Sequence, residues 1–221
     1  MTPHLVAAGF RVIAPDLVGY GESEAPAGVR IDMASQADWM LSLLDQLRLN
    51  RVAVIAHDVG TAAAQLMAIR APERLRALAL LDGVYRDNWA IEAVAAIQAW
   101  DPADAERLFP VLRRHLGKSE PLREMLSAWQ GEREGRRLIR AAKDLDPRQT
   151  VGLDEQLKST GLPAAVLWGE HDDFLPIDAV GQRLAELLQV ALVRLPGGHF
   201  TPLDCPVEVA EALYVFLRPL S

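Results

Sequence analysis

The sequence predicts an α/β fold in which helices flank a mostly parallel sheet and a helical segment is inserted between two of the strands. Short apolar runs alternate with amphipathic or alanine-rich stretches along the chain. These runs are almost continuously hydrophobic, which is typical of parallel strands covered on both faces. The strand signal then disappears over residues 83–162. A chain of 221 residues, half of them hydrophobic, is long enough to bury one core and to carry an inserted lobe.

Each element follows from a local pattern. The predicted strands lie at 11–16, 51–57, 75–82, 164–169 and 191–195. The predicted helices lie at 33–47, 61–71, 178–188 and 207–217. The region 83–162 is rich in arginine and glutamate, and prolines divide it into several helices. The expected organisation is therefore a first core part at 1–82, a helical cap at 83–162 and a second core part at 163–221.

Composition excludes several classes of protein. The net charge of −7 offers no basic surface for nucleic acid, and no apolar run approaches the roughly 20 residues that span a bilayer. The start lacks a secretory signal, so a cytoplasmic location is expected. The single Cys205 has no disulfide partner, and the histidines show no metal-ligand spacing. We expect a small-molecule substrate as the partner, with no nucleic acid, membrane, metal or cofactor.

The run 51–57 ends in a small-x-Asp-x-Gly turn centred on Asp58, directly before an alanine-rich helix. Two interpretations are open. Asp58 is either the N-cap of that helix or the nucleophile of a sharp elbow, whose flanking residues are small because a Cβ would clash there. A carboxylate on an elbow indicates attack on carbon to give an ester, which water then hydrolyses.

Two later loops favour the catalytic interpretation. Gly169-Glu-His-Asp172-Asp173 follows one predicted strand, and Gly198-His199-Phe200 follows the next. Carboxyl ends of parallel strands are where α/β sheets bind ligands. Nucleophile, acid and histidine also occur in the order found in α/β hydrolases.

With these motifs the chain resembles the α/β-hydrolase superfamily. The turn His57-Asp58-Val59-Gly60 is similar to that of its epoxide hydrolase and haloalkane or haloacetate dehalogenase branch, and the loop 15–23 and the acid and histidine loops match as well. The resemblance implies that Asp58 attacks carbon, that His199 activates water and that Asp172 orients His199, with Asp173 as the rival acid. It also implies that the backbone N–H of Val59 is an oxyanion donor.

The chain departs from the family at its beginning. Family members carry further strands there and an HGxP-type oxyanion motif, and nothing in this sequence matches it. We therefore expect an N-terminally truncated version of the fold. The strand predicted at 11–16 would then pair directly with the strand at 51–57 or leave an apolar edge unpaired, and an exposed edge favours a homodimer or aggregation.

The substrate is left open between a halide, an epoxide and an ester. Trp89, Trp100 and Trp129 are candidates for the pocket, although aromatic residues more often pack within a core. Tyr85 is the only tyrosine in 83–162, whereas epoxide hydrolases use cap tyrosines as acids, so dehalogenation is slightly favoured over epoxide hydration. Two alternatives remain, a non-catalytic ligand-binding protein and an ester or lactone hydrolase with Asp58 as general base.

Overall fold

The computed structural model describes residues 1–89, 91–110, 112, 122–124 and 131–220. Four parallel strands pair in chain order: β1 at Val52–His57, β2 at Leu75–Leu81, β3 at Ala164–Gly169 and β4 at Leu192–Leu195. The strands predicted at 51–57, 75–82, 164–169 and 191–195 are confirmed. The two inner strands, β2 and β3, are almost entirely buried, as their uniformly apolar sequences require.

Helices precede the sheet, connect its strands and follow β4. Their bounds in chain order are α1 Thr2–Ala7, α2 Met33–Gln46, α3 Gly60–Arg70, α4 Ile91–Gln98, α5 Glu132–Asp144, α6 Asp154–Ser159, α7 Gly181–Leu188, α8 Thr201–Asp204 and α9 Pro206–Leu217. Short 3₁₀ turns lie at Pro72–Arg74, Pro102–Arg107, Pro147–Thr150 and Arg218–Leu220. The four helices predicted from the sequence are confirmed to within three residues at each end. Among the described helices, none is long and apolar enough to cross a bilayer.

The strand predicted at 11–16 is wrong. These residues form no regular element, and Ile13 is 41% exposed although its neighbour Val12 packs partly against the core. A strand exists only through main-chain pairing with a neighbour. Within the described residues β1 pairs with β2 alone, so the apolar run at 11–16 has the composition of a strand and no ladder to join.

The described chain divides into two compact units. The first comprises 1–13, 33–89 and 147–221 and contains the whole sheet. One of its cores combines alternate residues of β2 and β3 with the apolar faces of α1 and α9, including Leu5, Leu167 and Leu213. Cys205 is buried in the same cluster, and burial raises the pKa of its thiol to about 11. The thiol is therefore a small apolar group of the core rather than a reactive one.

The second unit comprises 14–32 and 90–146. The segment 14–32, which the sequence analysis had placed with the core, thus belongs with the middle of the helical region. Arg140 of α5 explains why, since its guanidinium donates hydrogen bonds to the carbonyls of Ala25, Pro26 and Val29 at 3.2, 2.8 and 2.8 Å. A single charged side chain therefore satisfies three carbonyls of a loop that has no secondary structure.

Candidate active site

The turn after β1 has the geometry of an elbow. β1 ends at His57, Asp58 takes a left-handed conformation with φ of 50°, and α3 begins at Gly60. Asparagine, aspartate and glycine are the residues that adopt this conformation most readily. The hydroxyl of Thr61 donates to the Asp58 carbonyl at 2.6 Å and fixes the turn against the first residues of α3.

The N-cap interpretation of Asp58 is wrong. The cap position of α3 is Val59, and no side chain makes a capping hydrogen bond there. The Asp58 carboxylate instead accepts a hydrogen bond from the backbone N–H of Val59. The general expectation that a Cβ would clash beside the turn also fails at Gly60, where an added Cβ would meet nothing within 4 Å.

Asp172 and His199 lie opposite each other in the loops that follow β3 and β4. His199 Nδ1 is 3.0 Å from Asp172 Oδ2, and the Asp172 side chain is fully buried. The other oxygen of Asp172 accepts the backbone N–H groups of Phe174 and Leu175, both at 2.8 Å. These three donors hold the carboxylate rigidly, so that His199 presents its Nε2 in one direction.

Asp58 lies on that side of the imidazole. His199 Nε2 is 3.5 Å from Asp58 Oδ1, and 40% of the Asp58 side chain is exposed against 6% for His199. The structure thus brings all three predicted residues together, with the carboxylate of Asp58 open to a ligand and the histidine behind it. Asp173 is exposed, whereas the carboxylate that contacts His199 Nδ1 at 3.0 Å is that of Asp172.

The charges of this group shift the pKa values of its members. Desolvation alone would raise the pKa of the Asp58 carboxyl, but the hydrogen bond and charge of His199 outweigh it and lower the pKa. Burial alone would lower the pKa of His199, but hydrogen bonds with Asp172 and Asp58 and their charges raise it to about 10. The resting site at neutral pH is therefore an imidazolium between two carboxylates.

His57 is a site residue that the sequence analysis did not single out. Its Nε2 lies 2.6 Å from the carbonyl oxygen of His199, and since a carbonyl only accepts, this nitrogen carries the proton. Burial lowers the pKa of His57 and keeps it neutral. The rings of His57, Phe174 and Phe200 surround that of His199 at centroid distances of 5.2, 5.1 and 4.9 Å. The signal in the sequence was its position next to Asp58.

The loops after β3 and β4 are joined through their backbones. The N–H groups of Glu170 and His171 donate to the carbonyls of Leu195 and Gly197 at 2.9 and 3.0 Å. Gly169 lies so close to the histidine loop that an added Cβ would overlap the carbonyl oxygens of Gly197 and Gly198. Glycine at 169 is therefore required by close approach of two chains.

Replacing Gly169 by alanine is expected to lower the free energy of unfolding by about 1–3 kcal/mol, because the methyl group must displace the histidine loop. Turnover falls with it. The matched control is Gly60→Ala, where space is open and alanine in a helix is favoured over glycine by roughly 0.5–1 kcal/mol. Urea unfolding of both variants checks the prediction, and equal stability of the two would contradict it.

The three tryptophans predicted for the substrate pocket lie in different parts of the chain. Trp89 is 1% exposed and its indole N–H donates to the Thr150 hydroxyl at 2.8 Å, so it packs in the core, and its place in a substrate pocket stays a prediction. Trp100 belongs to the second unit, where it packs against the cluster of Ala105, Leu108 and Ile139. Trp129 lies outside the described residues. A buried indole needs a partner for its N–H, which Thr150 supplies to Trp89.

Comparison with known proteins gives the family of the chain. A family model described as the alpha/beta hydrolase fold matches residues 1–110. The chain belongs to the α/β-hydrolase superfamily. This α/β-fold hydrolase is 28% identical over 225 residues to a 2-hydroxymuconate semialdehyde hydrolase from a Pseudomonas species, covering 96% of this chain and 78% of that one. It is 26% identical over 223 residues to haloalkane dehalogenase 2 of Mycobacterium bovis, covering 92% and 77% of the two chains.

Solved structures share the fold of this hydrolase. A thermophilic esterase from Thermogutta terrifontis superimposes with a TM-score of 0.72 at 23% identity, covering 93% of this chain and 79% of that one. The hydrolases that resemble this chain therefore include enzymes with different substrates, and the choice among them depends on the site itself.

Proposed function

We propose that this hydrolase forms an ester between its substrate and Asp58, and that water activated by His199 then cleaves the ester. One observation carries the proposal. His199 stands between an exposed carboxylate on an elbow and a buried one, 3.5 Å from Asp58 and 3.0 Å from Asp172. The nucleophile of this arrangement is a carboxylate, which attacks saturated carbon without first losing a proton.

The first step is displacement at carbon. A carboxylate oxygen of Asp58 attacks the carbon that bears the leaving group, the new C–O bond forms, and the bond to the leaving group breaks with its electron pair. A lowered pKa keeps Asp58 ionised for this step. The left-handed conformation of the elbow holds the carboxylate above the end of β1, where 40% of its surface can meet a substrate.

The second step hydrolyses the ester. Ester formation removes the negative charge of Asp58, which is one of the causes that raise the pKa of His199. The imidazolium then releases its proton to solvent more easily, and the neutral imidazole becomes the base that accepts a proton from water. Water attacks the ester carbonyl of Asp58, and the backbone N–H of Val59 would stabilise the negative oxygen of the tetrahedral intermediate. The bond from the carbonyl carbon to the alcohol oxygen then breaks, and that oxygen takes the proton that His199 accepted from water.

Carbon–halogen cleavage in a small haloalkane or haloacid is the favoured reaction of this kind. Halide leaves as an anion and needs no acid, whereas opening an epoxide needs a proton donor. The hydroxyl of Tyr85 is bonded to Asp154 at 3.1 Å and its side chain is 3% exposed. It is therefore not available as that donor. Likeness to a haloalkane dehalogenase along most of the chain supports the same choice.

A second candidate is hydrolysis without an ester on Asp58. The relative named 2-hydroxymuconate semialdehyde hydrolase covers 96% of this chain, which favours cleavage of a carbon–carbon or ester bond. Asp58 would then act with His199 to activate water directly.

Turnover in heavy-oxygen water separates the two candidates. The protein is incubated through many turnovers with small haloalkanes, haloacids, epoxides or esters, and is then digested with trypsin in ordinary water. Tryptic peptide 52–70 contains Asp58 as its only acidic side chain, and peptide 77–86, which contains only Asp82, is the internal control. We expect label in the first peptide and none in the second.

Two other results would contradict the proposal. Turnover with label only in the product would favour direct activation of water. Absence of turnover on every substrate class would favour a protein that binds ligand without catalysis.

A further inference from the structure

A second buried carboxyl group lies beside the candidate site, and the proposed chemistry does not use it. Asp82 directly follows β2 and is 0% exposed. It takes a left-handed conformation with φ of 40°, as Asp58 does at the end of the neighbouring strand. A buried carboxyl in an apolar core is costly unless its oxygens have partners, so the positions of its partners are informative.

Both oxygens of Asp82 contact the loops that carry the acid and the histidine. Oδ1 accepts the backbone N–H of Gly169 at 2.6 Å, and Oδ2 is hydrogen-bonded to the hydroxyl of Thr201. Gly169 lies three residues before Asp172, and Thr201 lies two residues after His199. One side chain on β2 therefore ties together the two segments whose relative placement sets the Asp172–His199 distance.

We propose that Asp82 is a positioning residue, whose ionised carboxylate holds the acid loop and the histidine loop in register and makes the alignment of His199 depend on pH. The role in turnover rests on the function proposed above, whereas the alignment itself does not.

The surroundings of Asp82 move the pKa of its carboxyl group to near neutral pH. Burial raises the pKa of Asp82 to about 7, and the negative charge of Asp172 raises it as well. The hydrogen bonds from Gly169 and Thr201 and the charge of His199 lower it. Asp82 in turn contributes to raising the pKa of the Cys205 thiol. Asp172, His199 and Cys205 are thus titratable groups that face Asp82 from the neighbouring elements.

Ionisation has opposite effects on alignment and on stability. Above a pH of about 7 the carboxylate accepts both hydrogen bonds at full charge and adds a negative charge near His199. Below that pH it is neutral and holds the loops less firmly. The raised pKa also means that the native state keeps a proton which the unfolded chain has lost, so the free energy of unfolding falls as pH rises from 3.8 to about 7.

The test combines Asp82→Asn with two variants of its partner. Asparagine keeps the shape of Asp82 and cannot ionise. Thr201→Val removes the hydroxyl at nearly constant volume, and Thr201→Ser restores it. Asp178→Asn is the matched control, because Asp178 is an exposed carboxylate paired with Arg194 at the surface. Each variant is measured by its pH–rate profile and by the NMR titration of the His199 imidazole.

Asp82→Asn is expected to lower kcat about tenfold or more above neutral pH, with a smaller change in KM, because hydrogen bonds to a charged group are lost away from the substrate. The wild type is expected to show an inflection near the pKa of Asp82, and this inflection should disappear in Asp82→Asn, where the pKa of His199 should also fall. Thr201→Val should show the same loss of kcat and Thr201→Ser should recover it.

Other outcomes would overturn the inference. They are a wild-type inflection that persists in Asp82→Asn, an unchanged His199 titration, or a serine variant no better than valine. If Asp82→Asn does not fold, the comparison of Thr201→Val with Thr201→Ser tests the inference by the same measurements. The NMR titration reports alignment even if Asp58 carries no label after turnover, so failure of the proposed function is distinguishable from failure of this inference.

Discussion

Replacing His199 by glutamine is expected to stop the reaction halfway, with the ester trapped on Asp58. The carboxylate can still displace the leaving group, since His199 takes no part in bond formation at carbon. Glutamine cannot remove a proton from water, and loss of a general base lowers turnover by roughly 10²- to 10⁴-fold. One equivalent of leaving group should therefore be released per protein, followed by almost none.

The trapped ester is measured directly by mass. Tryptic peptide 52–70 should gain the mass of the substrate's organic group, because Asp58 is its only acidic side chain. The matched control is His171→Gln, the same change at an exposed histidine of the neighbouring loop, which should turn over normally. An unmodified peptide in a His199→Gln protein that still binds substrate would argue against the ester.

Replacing Asp172 by asparagine is expected to lower turnover on the order of 10⁴-fold, because the imidazole loses the partner that fixes its orientation and tautomer. All three groups that contact Asp172 are donors: His199 Nδ1 and the N–H groups of Phe174 and Leu175. The amide of an asparagine at position 172 has N–H groups of its own, and these must face one of the three donors, which then lacks an acceptor. The unpaired groups cost roughly 1–3 kcal/mol of stability in addition.

Two measurements distinguish the orienting role of Asp172 from a loss of folding. The pKa of His199, which the Asp172 hydrogen bond raises, should fall in a folded Asp172→Asn protein and can be followed by NMR. The control is Asp173→Asn, one residue along the chain and exposed, which is expected to retain activity. If Asp173→Asn loses activity and Asp172→Asn keeps it, Asp173 is the acid instead.

The fold was predictable wherever a hydrophobic run also has neighbours to pair with. β2 and β3 are nearly uniform apolar sequences, and such runs are typical of inner parallel strands whichever apolar residues they contain. The run at 11–16 has the same composition and forms no strand, because pairing is a property of the surrounding chain that local pattern does not contain. The grouping of 14–32 with the helical region depends likewise on Arg140, whose three carbonyl partners are remote in sequence.

In the candidate site too, the residues could be predicted from local sequence, whereas their contacts with residues remote in sequence could not. Asp58, Asp172 and His199 each follow a strand, so their order along the chain predicted that they meet at one edge of the sheet. His57 ends β1 and Asp82 directly follows β2, yet nothing local marks their contacts with the His199 carbonyl and with Thr201. The contact of Trp89 is of the same kind, since no local pattern shows that the Thr150 hydroxyl accepts its indole N–H.

The position of β1 has a consequence for how the hydrolase loses activity. Within the described chain β1 pairs on one side only, and none of its residues is fully buried, whereas β2 is buried almost throughout. Strands of this kind open by local fluctuation before the rest of the sheet, and their amide hydrogens exchange first. The elbow of Asp58 is attached to that strand, while Asp172 and His199 are attached to β3 and β4. On heating, Asp58 is therefore expected to separate from His199 in a partly open state whose inner strands are still folded.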